Sequence, residues 1–229
     1  MTTVLVTGTN RGIGLEFVRQ YAQDGARVIA CCREPAKADA LNGLAKANAR
    51  IAVRKLDVSD FAAMFALGRE LKDEAIDILI NNAGIYGPRS EHADPEYLAE
   101  WAKTMAVNTL APGAMAMAFH AQLRRSGQKK LISITSGLGS TSENGGGYLA
   151  YRASKAALNN VMRTLSVDWK KDGIICVPLD PGWVQTDMGG RNAPLPVAES
   201  VAGMRKVIAG LTLADSGKYL KWNGQERGW

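Results

Sequence analysis

The sequence predicts an α/β fold, a doubly wound parallel sheet with helices on both faces, formed by one domain spanning residues 1–229. Three observations predict it. Short β-branched runs alternate along the chain with long helical patterns. Several of those runs are apolar on both faces, as strands covered by helices on each side must be. No linker, internal repeat or low-complexity segment divides the chain.

Taken in order, strands are expected at 3–7 (TVLVT), 26–31 (ARVIAC), 51–56 (IAVRKL), 76–80 (IDILI), 130–135 (KLISIT) and 174–179 (IICVPL), with a last short one near 218–222 (KYLKW). Helices fit between them at 12–24, 36–49, 60–74, 96–126 and 151–171, the fourth with a break near Asn108 or Pro112. The segment GGRNAPLPVAES (189–200) reads as a surface loop or lid beside the carboxyl edge of the sheet, where ligands bind in such folds.

Composition narrows the classes. Apolar residues are 46% of the 229, enough for a large core. No apolar run is long enough to span a bilayer, and MTTVLVTGTN lacks the regions of a signal peptide, so a cytoplasmic protein is expected. The net charge of +6 comes from 28 Lys and Arg scattered among 22 acids, without the basic clusters that a nucleic-acid partner would require. A basic pocket for a phosphorylated cofactor accounts for the sign equally well. Cys31, Cys32 and Cys176 have neither CxxC nor Cys/His zinc spacing and read as small core residues, so no metal is expected. His92 and His120 have no evident partners and take a surface or core role.

VLVTGTNRGIGLEF sets Gly8, Gly12 and Gly14 between the first strand and the first helix. Such a turn lets the backbone approach a pyrophosphate, while the helix start offers free N–H groups and positive potential. The spacing G-x-x-x-G-x-G departs from the general Rossmann fingerprint G-x-G-x-x-G, yet its place in a βαβ unit supports dinucleotide binding. Where an NAD site would put an acid after the second strand, this chain has Cys32, then Arg33, with Glu34 one residue late. Arg11 adds a second cation inside the glycine loop. Two guanidiniums able to fork onto a 2′-phosphate favour NADP(H), with NAD(H) as the alternative and Glu34 as the contrary sign.

Tyr151 and Lys155 are four apart and therefore neighbours on one helix face, at the margin of an apolar side formed by Ala153, Ala157, Leu158, Val161, Met162 and Leu165. A tyrosine is a poor acid–base group near neutral pH, and a nearby ammonium is expected to lower its pKa enough to donate a proton to a carbonyl oxygen. Tyr148 with Arg152 has the same spacing but lacks the lysine.

TGTNRGIG (7–14), NNAG (81–84), Asn108, Ser136 in ISITSG, YRASK (151–155) and PGWVQT (181–186) follow the order and approximate spacing of the short-chain dehydrogenase/reductase family, which the chain resembles over nearly its whole length. AYRASKAALN with the preceding ENGGG is similar to the branch of C-factor proteins and sniffer-type carbonyl reductases. The resemblance implies Tyr151 as catalytic acid/base, Lys155 holding the nicotinamide ribose, Ser136 on the substrate oxygen and Asn108 in a proton relay. It also implies cofactor contacts from Gly8, Asn10, Arg11, Gly12, Ile13, Gly14, Arg33, Asp57, Val58, Asn81, Ala83, Gly84, Pro181, Gly182, Val184 and Thr186. Read on their own, Asn108 could kink a helix, Asp57 make a turn and Thr186 cap one.

Ser136 lies 15 residues before Tyr151, a longer gap than the family usually shows, and ENGGG is expected to absorb the excess. Within its strand Ser133 should point elsewhere, and Ser140 or Ser142 would require a reshaped loop. The glycines of SENGGG (142–147) are expected to form a mobile rim of a substrate cleft, a static spacer being the alternative. The leading activity is NADPH-dependent reduction of an aldehyde or ketone. The alternatives are an NAD-dependent alcohol dehydrogenase and a dinucleotide-binding, C-factor-like signalling protein. An enoyl reductase of the family would space Tyr and Lys more widely. The substrate is a small carbonyl or alcohol whose pocket depends on loops 85–95, 138–148 and 187–200. A homodimer through helices 96–126 and 151–171, the first carrying PGAMAMAF, is the expected assembly, with a monomer as the alternative.

Overall fold

The computed structural model describes residues 1–88 and 94–229, so His92 and the middle of the 85–95 loop lie outside the described residues. Among them, seven strands build one parallel sheet: β1 (Thr3–Thr7), β2 (Arg27–Cys32), β3 (Ile51–Lys55), β4 (Ile78–Asn81), β5 (Lys130–Ile134), β6 (Ile175–Asp180) and β7 (Leu220–Lys221). Their order is β3-β2-β1-β4-β5-β6-β7, so the winding reverses between β1 and β4, where Val4 pairs with both Val28 and Ile78. Loops diverge at such a reversal and leave a crevice at the carboxyl ends of the strands.

Strand alternation divides the core. Val4, Val6, Val28, Ala30, Ile80 and Val177 face α1 (Gly12–Gln23), α2 (Asp39–Ala47) and, further along, α8 (Val197–Gly210) through Phe17, Leu41, Val201, Met204 and Ile208. Leu5, Ile29, Leu79 and Leu131 face the other layer. That layer holds α3 (Phe61–Glu70), α5 (Ala111–Ala118), α6 (His120–Arg125) and α7 (Leu149–Asp168), which supply Met64, Met115, Leu123, Leu158 and Met162, with Phe119 between α5 and α6. Cys31 and Cys32 fall on opposite faces, which keeps these buried neighbours apart as free thiols.

Three expectations need correcting, and a fourth is borne out and extended. The break expected near Asn108 is a π-turn at Ala106–Leu110, and a further one at Phe119, not expected, divides the 96–126 helix into α4 (Pro95–Met105), α5 and α6. Asp94 caps α4 by accepting from Tyr97 N at 2.7 Å, and Pro95 opens it. The loop expected at 189–200 ends early, because α8 begins at Val197 directly after Pro196. Its signal was present in Val197, Val201, Met204 and Ile208, which recur at helical spacing. PGAMAMAF is mostly core: Met115 and Phe119 are buried, and Met117 points outward. Finally, the buried face of α7 is not simply apolar. Ser154, Lys155 and Asn159 share it with Tyr151, Leu158 and Met162, whereas Ala153, Ala157 and Val161 are only partly covered. No helix among the described residues is long and apolar enough to cross a membrane.

Candidate active site

The glycine loop after β1 is held from two sides. Thr9 donates through its backbone N and its hydroxyl to Cys31 O at 3.2 and 3.1 Å, tying the loop to β2. Asn82 Nδ2 donates to Thr7 O at 2.9 Å and Gly8 O at 3.1 Å, and the Thr7 hydroxyl accepts from Asn82 N and Ala83 N. Sequence reasoning missed this clamp of Thr7, Thr9 and Asn82. Gly14 is required by close approach, because a Cβ there would lie 2.2 Å from Gly8 O. No described side chain caps the start of α1, so its first-turn N–H groups face the crevice with the positive end of the helix dipole. Such donors, with the exposed cation of Arg33 nearby, suit a dinucleotide.

Around that loop the proposed contacts fall in different relations. Gly12 faces Thr186, whose methyl would be 3.6 Å from a Cβ at Gly12. Thr186 also accepts from Gly189 N at 3.0 Å, so it shapes its own turn as well. Pro181, Gly182 and Val184 lie on the same loop, with Pro181 O bound by Ser200 of α8 and Val184 bridged to Leu195. An open cleft of about 560 Å³ is lined by Gln185, Thr186, Asp187, Gly190 and Arg191. Asn10 is exposed at the loop tip, and Ile13 and Val58 pack against the core.

The two guanidiniums are held by different partners. Arg11 pairs with Asp187 at 2.6 Å, whereas Arg33 stands 3.8 Å from Glu34. Glu34 is itself claimed by Lys37 at 2.5 Å, and that contact first, with Arg33 adding to it, holds its carboxyl below the ordinary value. Cys32 is buried and leaves Arg33 as the residue presented after β2. Asp57 accepts from Ser59 N and Oγ at 2.9 and 2.7 Å, the turn role, and its carboxyl is lowered chiefly by that hydroxyl with help from Arg33 and Lys103. Asn81 directs its side chain inward, which leaves its backbone for the expected cofactor contact. Its side chain is buried and donates to Pro112 O at 3.2 Å and Ser133 Oγ at 3.4 Å, because the pleat turns it into the sheet's helical layer, away from the crevice. Ala83 and Gly84 follow it along the crevice wall.

Ser136, Tyr151, Lys155 and Asn108 come together beside Gly84. A Cβ on Gly84 would be 3.3 Å from Asn108 Oδ1 and 3.7 Å from Lys155 Nζ. The π-turn carries Asn108 to Ile85, where Oδ1 accepts from the backbone N at 2.9 Å and Nδ2 donates to the carbonyl at 2.8 Å and to Ser154 Oγ at 3.0 Å. Asn108 thus both marks the irregular turn and braces the loop below Tyr86. Lys155 Nζ donates to Ile134 O at 2.9 Å and sits 5.7 Å from the Tyr151 ring centre. The elongated 137–150 connection does return Tyr151 to Ser136, close enough for the serine side chain to favour the ionised phenol. Ser133 instead points at Met162 Sδ, 3.1 Å away, as its place in the strand implies.

The expected lowering of the phenol pKa is reversed in this structure. Burial is the largest cause and pushes Tyr151 up to about 12, with the Ser136 side chain opposing and Tyr86 and Asp180 adding to the rise. Burial also brings Lys155 down to about 8. Both groups have lost water, and a buried site favours their neutral forms.

Three aromatic rings cluster at the phenol. Tyr86 stacks on Tyr151 and meets Tyr148 edge-on, with centroids 4.9 and 5.3 Å away. Met188 Sδ lies 4.0 Å from the Tyr151 hydroxyl. Tyr148 lacks the lysine partner but joins the same ring cluster, and its backbone is left-handed at φ 51. Gly146 and Gly147 precede it at φ 81 and 69, so the chain enters α7 through three consecutive left-handed residues. The SENGGG loop is pinned at its edges, where Ser142 N donates to Trp229 O at 2.6 Å and Arg152 Nε to Gly146 O at 2.9 Å. Among the described residues no cluster of acids, Cys or His is arranged to hold a metal.

A family model described as short chain dehydrogenase matches residues 2–194. The chain is 43% identical to C-signal of Myxococcus xanthus over 155 residues, which cover 67% of this chain and 93% of that protein. It superposes on the carbonyl reductase Sniffer of D. melanogaster with a TM-score of 0.92 at 34% identity, covering 100% of each. An NADPH-bound carbonyl reductase from chicken fatty liver gives a TM-score of 0.92 at 38% identity, covering 100% of this chain and 99% of that one.

Proposed function

The chain belongs to the short-chain dehydrogenase family, and from that premise we propose that it is an NADPH-dependent oxidoreductase that reduces the carbonyl of an aldehyde or ketone. The observation that carries this reading is the convergence of Ser136, Tyr151 and Lys155 beside Gly84 and Asn108 at the carboxyl edge of the sheet. When bound, the nicotinamide cofactor supplies the hydride. The uncapped start of α1, with Gly8, Gly12 and Thr186 around it, would hold the diphosphate, and Arg33 the 2′-phosphate. Glu34 is drawn to Lys37, which removes much of the sign against NADP(H).

Ser136 would donate to the substrate oxygen and set it beside the phenol. Tyr151 would then give its proton to that oxygen as negative charge develops there. A neutral, buried phenol is in the right protonation state for reduction, and the Lys155 ammonium would stabilise the phenolate left behind. Asn108 would keep Ile85 and the adjoining backbone in place while the proton is restored from solvent. Tyr86, Tyr148 and Met188 would give the substrate an apolar, aromatic cleft. Exposed Leu98 and Val167 on α4 and α7 support a homodimer, which light scattering at micromolar concentration would exclude by reporting the 24.5 kDa mass of one chain.

A panel of aldehydes and ketones offered with NADPH and with NADH, followed by cofactor absorbance, tests the activity. Turnover with NADPH that is lost in Tyr151→Phe, while NADPH still binds, is the expected result. A second reading, a dinucleotide-binding signalling protein, is favoured by the similarity to C-signal. Tight NADPH binding with no turnover across the panel would favour it over the reductase.

A further inference from the structure

The segment after β7 returns across the serine side of the cleft. Tyr219 is fully buried, and its hydroxyl donates to the backbone carbonyl of Ser136. Its own carbonyl accepts from Arg227 N at 2.8 Å. The Arg227 guanidinium lies against Gly137, where a Cβ would come within 2.9 Å of it. From there it reaches two carboxylates, pairing with Glu143 of the 138–148 loop and standing 3.1 Å from Asp180 Oδ2 through Nε, too poorly aligned for a full hydrogen bond. Asp180 ends β6, is 3% exposed, and accepts from Gly182 N at 3.0 Å. One side chain therefore touches three segments of the site: the turn carrying Ser136, the glycine-rich loop, and the strand end that launches Pro181 and Gly182.

We propose that Arg227 is a positioning residue that holds the Ser136 turn and the Asp180 carboxylate so that serine and phenol meet in reactive register. The proposal rests on the reading of Ser136 and Tyr151 as the reacting pair. A bidentate, planar cation suits this place better than an ammonium, because it serves two carboxylates in different directions while lying flat on Gly137. The guanidinium also has an electrostatic effect. Ser136, Tyr86, Asp180 and Lys155 are the polar and charged groups facing the Tyr151 phenol, and of these Asp180 and Tyr86 oppose its ionisation. Glu143 and Asp180 face Arg227, and Tyr219 is beside it. Arg227 neutralises Asp180, so its loss would both loosen the Ser136 turn and leave a buried carboxylate acting on the phenol without compensation.

The test compares Arg227→Gln, Arg227→Lys and Tyr219→Phe with the unmodified protein, Tyr219→Phe serving also if the arginine variants fold poorly. Backbone hydrogen exchange over 136–147, read without ligand, should speed up about tenfold or more in Arg227→Gln and less in the other two. In carbonyl reduction, kcat should fall about tenfold or more while NADPH affinity changes less than about twofold, since only the substrate side is disturbed. The ionisation that governs alcohol oxidation should move to higher pH in Arg227→Gln, and adding Asp180→Asn should move it back. Unchanged exchange over 136–147 would overturn the proposal. So would faster exchange with unchanged kcat and pH profile, which would reduce Arg227 to a structural tie. If the unmodified protein reduces no carbonyl, the functional reading fails, and the exchange measurement alone decides whether Arg227 holds the turn.

Discussion

Tyr86 lies on Tyr151 with ring centroids 4.9 Å apart and planes 17° apart, so the candidate proton donor is stacked under a second tyrosine from the loop after β4. This loop is in turn held by Asn108 through Ile85. Stacking of this kind contributes about 0.5–1.5 kcal/mol beyond burial and fixes the plane of the phenol. Tyr86→Phe should retain most of kcat. Tyr86→Ala should lower it about tenfold and let water reach the phenol, so that the ionisation limiting alcohol oxidation moves to lower pH. Equal kinetics for both variants would show that the stack has no part in placing Tyr151.

Arg33 is 72% exposed, with Glu34 drawn towards Lys37 beside it. Arg33→Ala should weaken NADPH binding by about 10- to 100-fold, the value of one charge-assisted phosphate contact, and leave NADH nearly unaffected. Calorimetric titration of both cofactors checks this. An equal loss for the two, or tighter binding of NADH to the unmodified protein, would reassign the cofactor.

Lys155 is buried, and burial brings its pKa from 10.5 to about 8. The unfolded chain holds that proton up to its ordinary value, so between about pH 8 and pH 10.5 it binds more protons than the folded one. The cost of burying the ammonium is therefore fully present below pH 8 and is relieved as pH rises through this window. Lys155→Met should abolish turnover yet melt at an equal or higher temperature at pH 7, with its advantage shrinking above pH 8. Melting curves across pH would expose the opposite outcome, a variant less stable at pH 7 than the parent.

Gly146 has φ 81 and open space around it, whereas Gly145 is not held in the left-handed region. Gly145→Ala should be close to neutral. Gly146→Ala should cost about 1 kcal/mol and disturb the approach to Tyr148, reducing kcat or raising KM with NADPH affinity unchanged. Identical kinetics for the two variants, with exchange over 142–147 insensitive to ligands, would leave the glycines as spacers.

Much of this protein was legible in its residues. The apolar, β-branched runs predicted six of the strands, and the short KYLKW strand also formed, because side-chain period and burial on both faces are properties of local sequence. That Tyr151 and Lys155 share one helix face was legible from their spacing, since four residues along a helix return to the same face. The glycines of the first loop were legible because a βα turn that packs a helix start on Gly8 O leaves no room for a Cβ at position 14.

Tertiary structure decided what depends on distant partners. Asn81 turned into the core because the pleat assigned its side chain to that face, and Asn82, its neighbour, became the clamp on Thr7 and Gly8. Polar residues on the buried face of α7 are readable as a face in the sequence, but only Thr135 and Gly139 reveal why Asn159 is tolerated there, at 2.6 and 3.2 Å. The sign of the Tyr151 shift needed the fold, since a spacing names the neighbouring charge but not the water removed. Arg227 had no local signal at all, for its partners Glu143 and Asp180 meet it only after the chain has folded back across the sheet. Periodicity determines which residues share a surface. What that surface touches is set by the packing of the whole chain, and with it go burial, charge compensation and the register of the site.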